Sequence, residues 1–211
     1  LDAQRVRVLE DEMRRMKCRV PQVNIGIWML GPVLLEFGTE AQKQRFLPPM
    51  TRGEQGWCQG FSEPNAGSDL ASLKMAARAD GDHYVVSGAK IWTSGADKAD
   101  WMYALVRTDA AAPKHLGISL LLIDMKSPGI TVRPIELISG ASKFCQVFFD
   151  DVRVPAENLV GPVNGGWAVA KRLLQHERSG LSGAGGGGYG GAKPLPKLAK
   201  DYVGLDESGK L

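Results

Sequence analysis

The sequence predicts an α+β protein of several domains, with a helical N-terminal part, a β-rich centre and a return to helix. Three observations lead there. Apolar residues recur at three- and four-residue steps over residues 1–55, they alternate in short runs from Gln55 to Asp150, and the helical period resumes after Val154-Pro155. This order differs from the βαβ alternation of a doubly wound sheet, and so many short strands in about a hundred residues suggest a closed or sandwiched β domain. The expected divisions are 1–55, 56–161 and 162–211.

In the first part, Val6, Leu9, Met13, Met16 and Val20 form one apolar stripe, leaving Arg5, Arg7, Glu12, Arg15 and Lys17 to solvent; Pro21 is expected to end that helix. Ile25 to Leu35 reads as a buried helix interrupted near Gly31-Pro32. Thr39 with Gln42 three residues on has the form of a capping box, opening a helix from Glu40 to Leu47 that Pro48-Pro49 should stop. In the centre, Asp80-Gly81 between the strand-like flanks of Arg78 to Ser87 signals a hairpin. Further strands are expected at Ala89 to Thr93, Trp101 to Arg107, Gly117 to Asp124, Ile130 to Arg133 and Phe144 to Phe149. Trp167, Ala170, Leu173 and Leu174 then share a face from about Gly165 to Arg178, with Asn164 placed to cap the helix. The glycine tract from Gly183 to Gly191 reads as a flexible loop, because neither a GxxxxGK[ST] nor a strand-GxGxxG-helix context surrounds it.

Composition excludes several functions. With 211 residues, 44% hydrophobic and 23% charged, the chain has an ordinary globular make-up. Its net charge of +3 is small and the signs are interspersed, which gives no electrostatic case for nucleic acid. The longest apolar run, Gly117 to Ile123, falls far short of the roughly 20 residues a bilayer helix requires, so no transmembrane segment is expected. Cys18, Cys58 and Cys145 are too scattered for a disulfide framework or a thiolate zinc site, and a reducing compartment is the default. His83, His115 and His176 lie far apart, so no metal site is expected. A serine hydrolase lacks its elbow, since Gly180-Leu-Ser-Gly-Ala184 misses the last glycine of GxSxG. Both ends read as cut: Leu1 opens directly in a helical pattern without a targeting segment, and Leu211 follows no clear stop signal.

The residues most suggestive of chemistry lie in two short blocks. Ser62 and Ser68 flank Glu63-Pro64-Asn65-Ala66-Gly67, where Asn65 and Gly67 tolerate positive φ and freed N–H groups could face an anionic or carbonyl-rich ligand. Ser94 follows Trp92, a ring that either stacks on a planar ligand or fills core. Each serine has an equally simple use as a turn cap. Glu177, in Leu173-Leu-Gln-His-Glu-Arg178, is either a solvated partner of His176 or Arg178, or a carboxylate whose pKa a dry pocket would raise from about 4.3 towards the range of a general base.

Four blocks carry a family resemblance. Phe61-Ser-Glu-Pro-Asn-Ala-Gly-Ser-Asp69, Gly88-Ala-Lys-Ile-Trp-Thr-Ser-Gly95, Asp151-Val-Arg-Val-Pro-Ala-Glu-Asn-Leu-Val-Gly161 and Gly166-Trp-Ala-Val-Ala-Lys-Arg-Leu-Leu-Gln-His-Glu-Arg178 resemble, in order, the signature blocks of the acyl-CoA dehydrogenase family. Phe37 to Pro48 resembles the family's N-terminal domain, and the match runs over about residues 20 to 180. The resemblance implies an N-terminal helical domain, a central β-barrel and the start of a C-terminal helical bundle, with FAD between barrel and bundle. It implies removal of an acyl-CoA α-proton by a glutamate while a β-hydride passes to the flavin, giving a 2-enoyl-CoA. By position it implies that Gln59, Gly60, Phe61, Ser62, Gly67 and Ser68 wrap the flavin, and that Ser68 lies near both pyrophosphate and substrate. Trp92, Thr93 and Ser94 then flank the ring system, while Gln175 and Arg178 border acyl-CoA. Glu177 falls where the isovaleryl and long-chain branches carry their base; other branches supply it from later in the chain. Electron-transferring flavoprotein as acceptor, a homodimer or homotetramer, and a bacterial cytoplasm or mitochondrial matrix follow as expectations. An acyl-CoA oxidase or other flavin oxidase of the same fold, and a non-catalytic scaffold, stand as alternatives.

Overall fold

The computed structural model describes residues 3–18 and 24–183, together with positions 202, 204 and 208. Among the described residues the elements run in the order α1 (Ala3–Arg15), α2 (Gly31–Phe37), α3 (Glu40–Thr51), β1 (Trp57–Gly60), β2 (Ala76–Asp80), β3 (His83–Ser94), β4 (Trp101–Arg107), β5 (Ile118–Asp124), β6 (Ile130–Ile135), β7 (Phe144–Pro155), β8 (Leu159–Val160) and α4 (Gly166–Gly183). Two compact units divide at residue 177: Leu1–Glu177 holds every strand among the described residues, and Arg178–Leu211 begins with the last turns of α4. No helix among the described residues is long and apolar enough to cross a membrane.

The expected capping box is present. Thr39 Oγ1 accepts from the Gln42 amide at 3.2 Å while Gln42 Oε1 accepts from the Thr39 amide at 3.0 Å, satisfying two orphan donors of α3. Gln42 is also buried, and its Nε2 donates to the Glu157 and Leu159 carbonyls, tying α3 to the sheet. The helix runs through Pro48 and Pro49 instead of stopping before them. Burial of Phe46 and Met50, one turn apart, carries it on: Phe46 sits edge-on to Trp57 and Trp101. The interruption expected near Gly31-Pro32 takes the form of a π-helical turn, Gly26–Leu30, that hands over to α2. Helix α1 ends at Arg15, and Leu9 and Met16 of its stripe are exposed; Val20 and Pro21 fall outside the described residues.

All eight strands form one sheet in the order β6-β7-β3-β2-β4-β5-β8, with β1 pairing parallel to β4. Asp80 pairs with His83 across the hairpin turn, where Gly81 takes φ 63°. β4 and β5 are buried on both faces, which explains their unbroken apolar runs. One face packs Met102, Ala104, Val106, Leu121 and Ile123 with β2, β3 and β7 inside the curved sheet; the other packs Tyr103, Leu105, Leu120 and Leu122 under the helices. Asn164 is not the cap of α4: its Oδ1 accepts the Thr108 hydroxyl and its amide donates to Ser119 Oγ.

Candidate cofactor site

A β-bulge creates the exposed wall of the site. Lys90 pairs with Val147 and Thr93 with Cys145, so Ile91 and Trp92 on β3 stand against Gln146 alone on β7. Strict alternation would put Lys90, Trp92 and Ser94 on one face. The extra residue breaks that phase: Lys90 and Thr93 are buried, whereas Trp92 and Ser94 are exposed. Trp92 takes φ 59°, an outlier for a bulky side chain, and is 56% exposed with its ring edge-on to Phe144. An exposed tryptophan held in a costly backbone conformation points to a functional surface.

The serine loop docks beside this bulge. The Ile91 amide donates to the Ser62 carbonyl at 2.9 Å, joining the two sequence blocks. Glu63 and Ala66 exchange both backbone hydrogen bonds, which closes Pro64-Asn65 into a tight turn. Neither Asn65 nor Gly67 adopts the positive φ that the sequence suggested; the paired neck shapes the loop instead. Ser68 is exposed, Ser62 half-buried, and a Cβ built on Gly67 or Gly95 would meet nothing within 4 Å.

The other candidate residues face elsewhere. Gly60 points into the sheet interior, where a Cβ would collide with Met102 Sδ; the Phe61 ring packs edge-on to Tyr103; and the Thr93 hydroxyl is buried with no hydrogen-bond partner among the described residues. Gly60 and Phe61 are left with backbone atoms alone for a polar ligand, whereas Thr93 keeps an unpartnered hydroxyl. Gln59 Oε1 accepts from the buried Tyr103 hydroxyl at 3.0 Å, and Tyr103 is held well above its ordinary range by burial first, with Cys58 and Glu177 adding to it. That places Glu177 electrostatically beside the Gln59–Tyr103 pair. Among the described residues the half-buried Glu177 has no hydrogen-bond or ion-pair partner, so pairing with His176 or Arg178 is not what holds it. Gln175 is exposed and accepts from Arg172, and Arg178 is exposed in the second unit.

A cluster of charges beneath the loop was missed from the sequence. Lys90 Nζ, 0% exposed, donates to Glu63 Oε1 at 2.9 Å and to the Phe61 carbonyl at 3.1 Å. Glu63 also accepts from the Lys74 and Met75 amides at 2.7 and 2.9 Å. Arg107 on β4 donates to the Ala71, Leu73 and Lys114 carbonyls. The available signal was a lysine at an inward strand position. An open groove of about 640 Å³ lined by Lys74, Arg78, Arg107 and Lys114 lies against the same segment but contains none of the candidate residues that the sequence put forward.

Comparison with known proteins agrees with this layout. Residues 3–54 match the acyl-CoA dehydrogenase N-terminal domain and residues 58–152 the acyl-CoA dehydrogenase middle domain. The chain belongs to the acyl-CoA dehydrogenase family. It is 50% identical over 172 residues to acyl-CoA dehydrogenase FadE34 of Mycobacterium tuberculosis, covering 81% of this chain and 24% of that protein. It is 37% identical over 153 residues to the mitochondrial isovaleryl-CoA dehydrogenase of Pongo abelii, covering 71% of this chain and 36% of that one. The solved steroid ACAD Tcur3481-Tcur3483 superposes with a TM-score of 0.75 at 39% identity, over 85% of this chain and 44% of its own. The chain thus spans less than half the length of these acyl-CoA dehydrogenases. Among the described residues no group of His, Cys, Asp and Glu is placed to hold a metal ion.

Proposed function

We propose that the intact protein is an FAD-dependent acyl-CoA dehydrogenase, in which this chain supplies one wall of the flavin site and the catalytic base. The single observation that carries the proposal is the bulge that turns Trp92 and Ser94 outward beside the Ser62 loop. Those residues suit FAD: an exposed ring for stacking, hydroxyls at Ser62, Ser68 and Ser94, and open space at Gly67 and Gly95. Bound there, FAD would supply a two-electron hydride acceptor. The chain's own part is to hold and deprotonate. Ser68, Gln175 and Arg178 would border the acyl-CoA, and Glu177 would take the α-proton, leaving a 2-enoyl thioester once hydride has gone to the acceptor. Among the described residues Glu177 has no hydrogen-bond partner, which supports reading its carboxylate as available to substrate.

The division into residues 1–55, 56–161 and 162–211, a homodimeric or homotetrameric assembly, electron-transferring flavoprotein as acceptor, and a cytoplasmic or mitochondrial-matrix location belong to the same proposal. The likeness to a steroid ACAD makes bulky acyl groups worth including among the thioesters tried. Glu177→Gln in the intact protein is the test. It should keep its flavin and lose anaerobic bleaching by acyl-CoA; retained bleaching would place the base elsewhere. Rapid peroxide release on readmitting air would favour an oxidase over a dehydrogenase.

A further inference from the structure

Glu63 sits at the neck of the serine loop and is bonded on every side. Its backbone pairs with Ala66, its carboxylate takes the Lys74 and Met75 amides, and Lys90 closes the set by bridging that carboxylate to the Phe61 carbonyl. Arg107 holds the intervening Ala71 and Leu73 carbonyls. The segment from Phe61 to Met75 is therefore stapled from beneath to β3 and β4 by one carboxylate and two cations. Burying such groups is costly, and hydrophobic residues of similar volume would commonly hold a loop as well. The charge itself thus calls for an account.

We infer that Lys90, Glu63 and Arg107 are positioning residues for FAD: they fix the loop bearing Ser62 and Ser68 against the Trp92 bulge, and their net positive charge would favour an anionic group held by that loop. This rests on the flavin reading. With Lys90 protonated the cluster sums to one positive charge; with Lys90 neutral it sums to zero, and the Glu63 carboxylate loses its nearest cation. Burial pulls Lys90 down to about 8, with Glu63 opposing the fall and Arg107 adding to it, so the change lies in an accessible range. The charged groups around Lys90 are Glu63 from the loop and Arg107 from β4; Val147 stands opposite on β7, and Asp69 pairs with Lys114 on the exposed side.

The test is FAD titration of the flavin-stripped intact protein, read by quenching of flavin fluorescence, from about pH 7 to about pH 9.5. Wild-type Kd should rise about tenfold as Lys90 deprotonates. Lys90→Gln should bind weakly at neutral pH with a flat profile, and Lys90→Arg, which keeps its charge, should bind tightly with a flat profile. The stability of the stripped protein discriminates further. A depressed lysine pKa makes wild type gain stability relative to Lys90→Gln over the same pH range, so a merely structural role predicts affinity rising with pH. A wild-type Kd that stays level or falls, or that matches Lys90→Gln throughout, would overturn the inference. Wild type that binds no FAD at any pH would overturn the flavin reading itself.

Discussion

Replacing Glu63 by Gln should destabilise the protein more than replacing Lys90 by Met, and the double substitution should cost much less than the two together. The reason lies in what each change strands. Glu63→Gln leaves the buried Lys90 ammonium without its counter-charge, and turns an amide N–H toward the Lys74 donor that the carboxylate had accepted. Lys90→Met leaves a carboxylate that still accepts from Lys74 and Met75, and its thioether chain refills the space of the lysine stem. Breaking a buried pair from one side costs about 3–5 kcal/mol, so Glu63→Gln is placed near the top of that range and Lys90→Met near the bottom. The double variant buries neither charge and strands about one backbone donor, a cost of about 1–3 kcal/mol. The coupling energy is then several kcal/mol, above the usual range for neighbours. Urea unfolding of the flavin-stripped intact protein, followed by tryptophan fluorescence, measures all four corners of the cycle. Additive single-variant costs, or Lys90→Met costing more than Glu63→Gln, would refute the reasoning.

Other consequences follow. Below about pH 8 the native state bears the cost of a buried ammonium, and the cost is relieved as pH rises toward the ordinary 10.5; the difference in unfolding free energy between wild type and Lys90→Met should therefore shift in favour of wild type across that window. Trp92→Gly should change stability by only about 1 kcal/mol, because relief of the positive φ offsets the lost contact with Phe144, yet it should weaken FAD binding at least tenfold. Loss of stability with unchanged FAD affinity would make Trp92 a packing residue. Exposed Cys18 should react with a thiol reagent in the native protein, whereas Cys58, buried and pushed up to about 12, should react only on unfolding, as mapped by mass spectrometry of the labelled peptides.

Local chemistry was the most legible part of the fold. The Thr39–Gln42 box, the Asp80-Gly81 turn and the bounds of β4 are set by nearby residues and stand where their sequence signals put them. What failed depended on distant partners. Pro48 and Pro49 argued for a stop, but Phe46 and Met50 had a core to fill; Asn164 had the form of a cap, but Thr108 and Ser119 claimed it. β1 offers only four residues and takes its register from β4, so its alternation was too short to see. The site was half legible. The structure brings together the serine and tryptophan blocks that the sequence put forward, but the bulge that turns Trp92 outward arises from register against β7, and the partner of Lys90 lies 27 residues away on another segment.

The central claim is that this bulge-and-loop wall carries flavin for oxidation of an acyl-CoA. Its most direct measurement is the anaerobic visible spectrum of the intact protein on mixing with acyl-CoA thioesters of graded size. A yellow protein whose oxidised-flavin band is lost with at least one thioester is the predicted result. A protein that takes up no FAD, or a flavin band unchanged by every thioester, would contradict it.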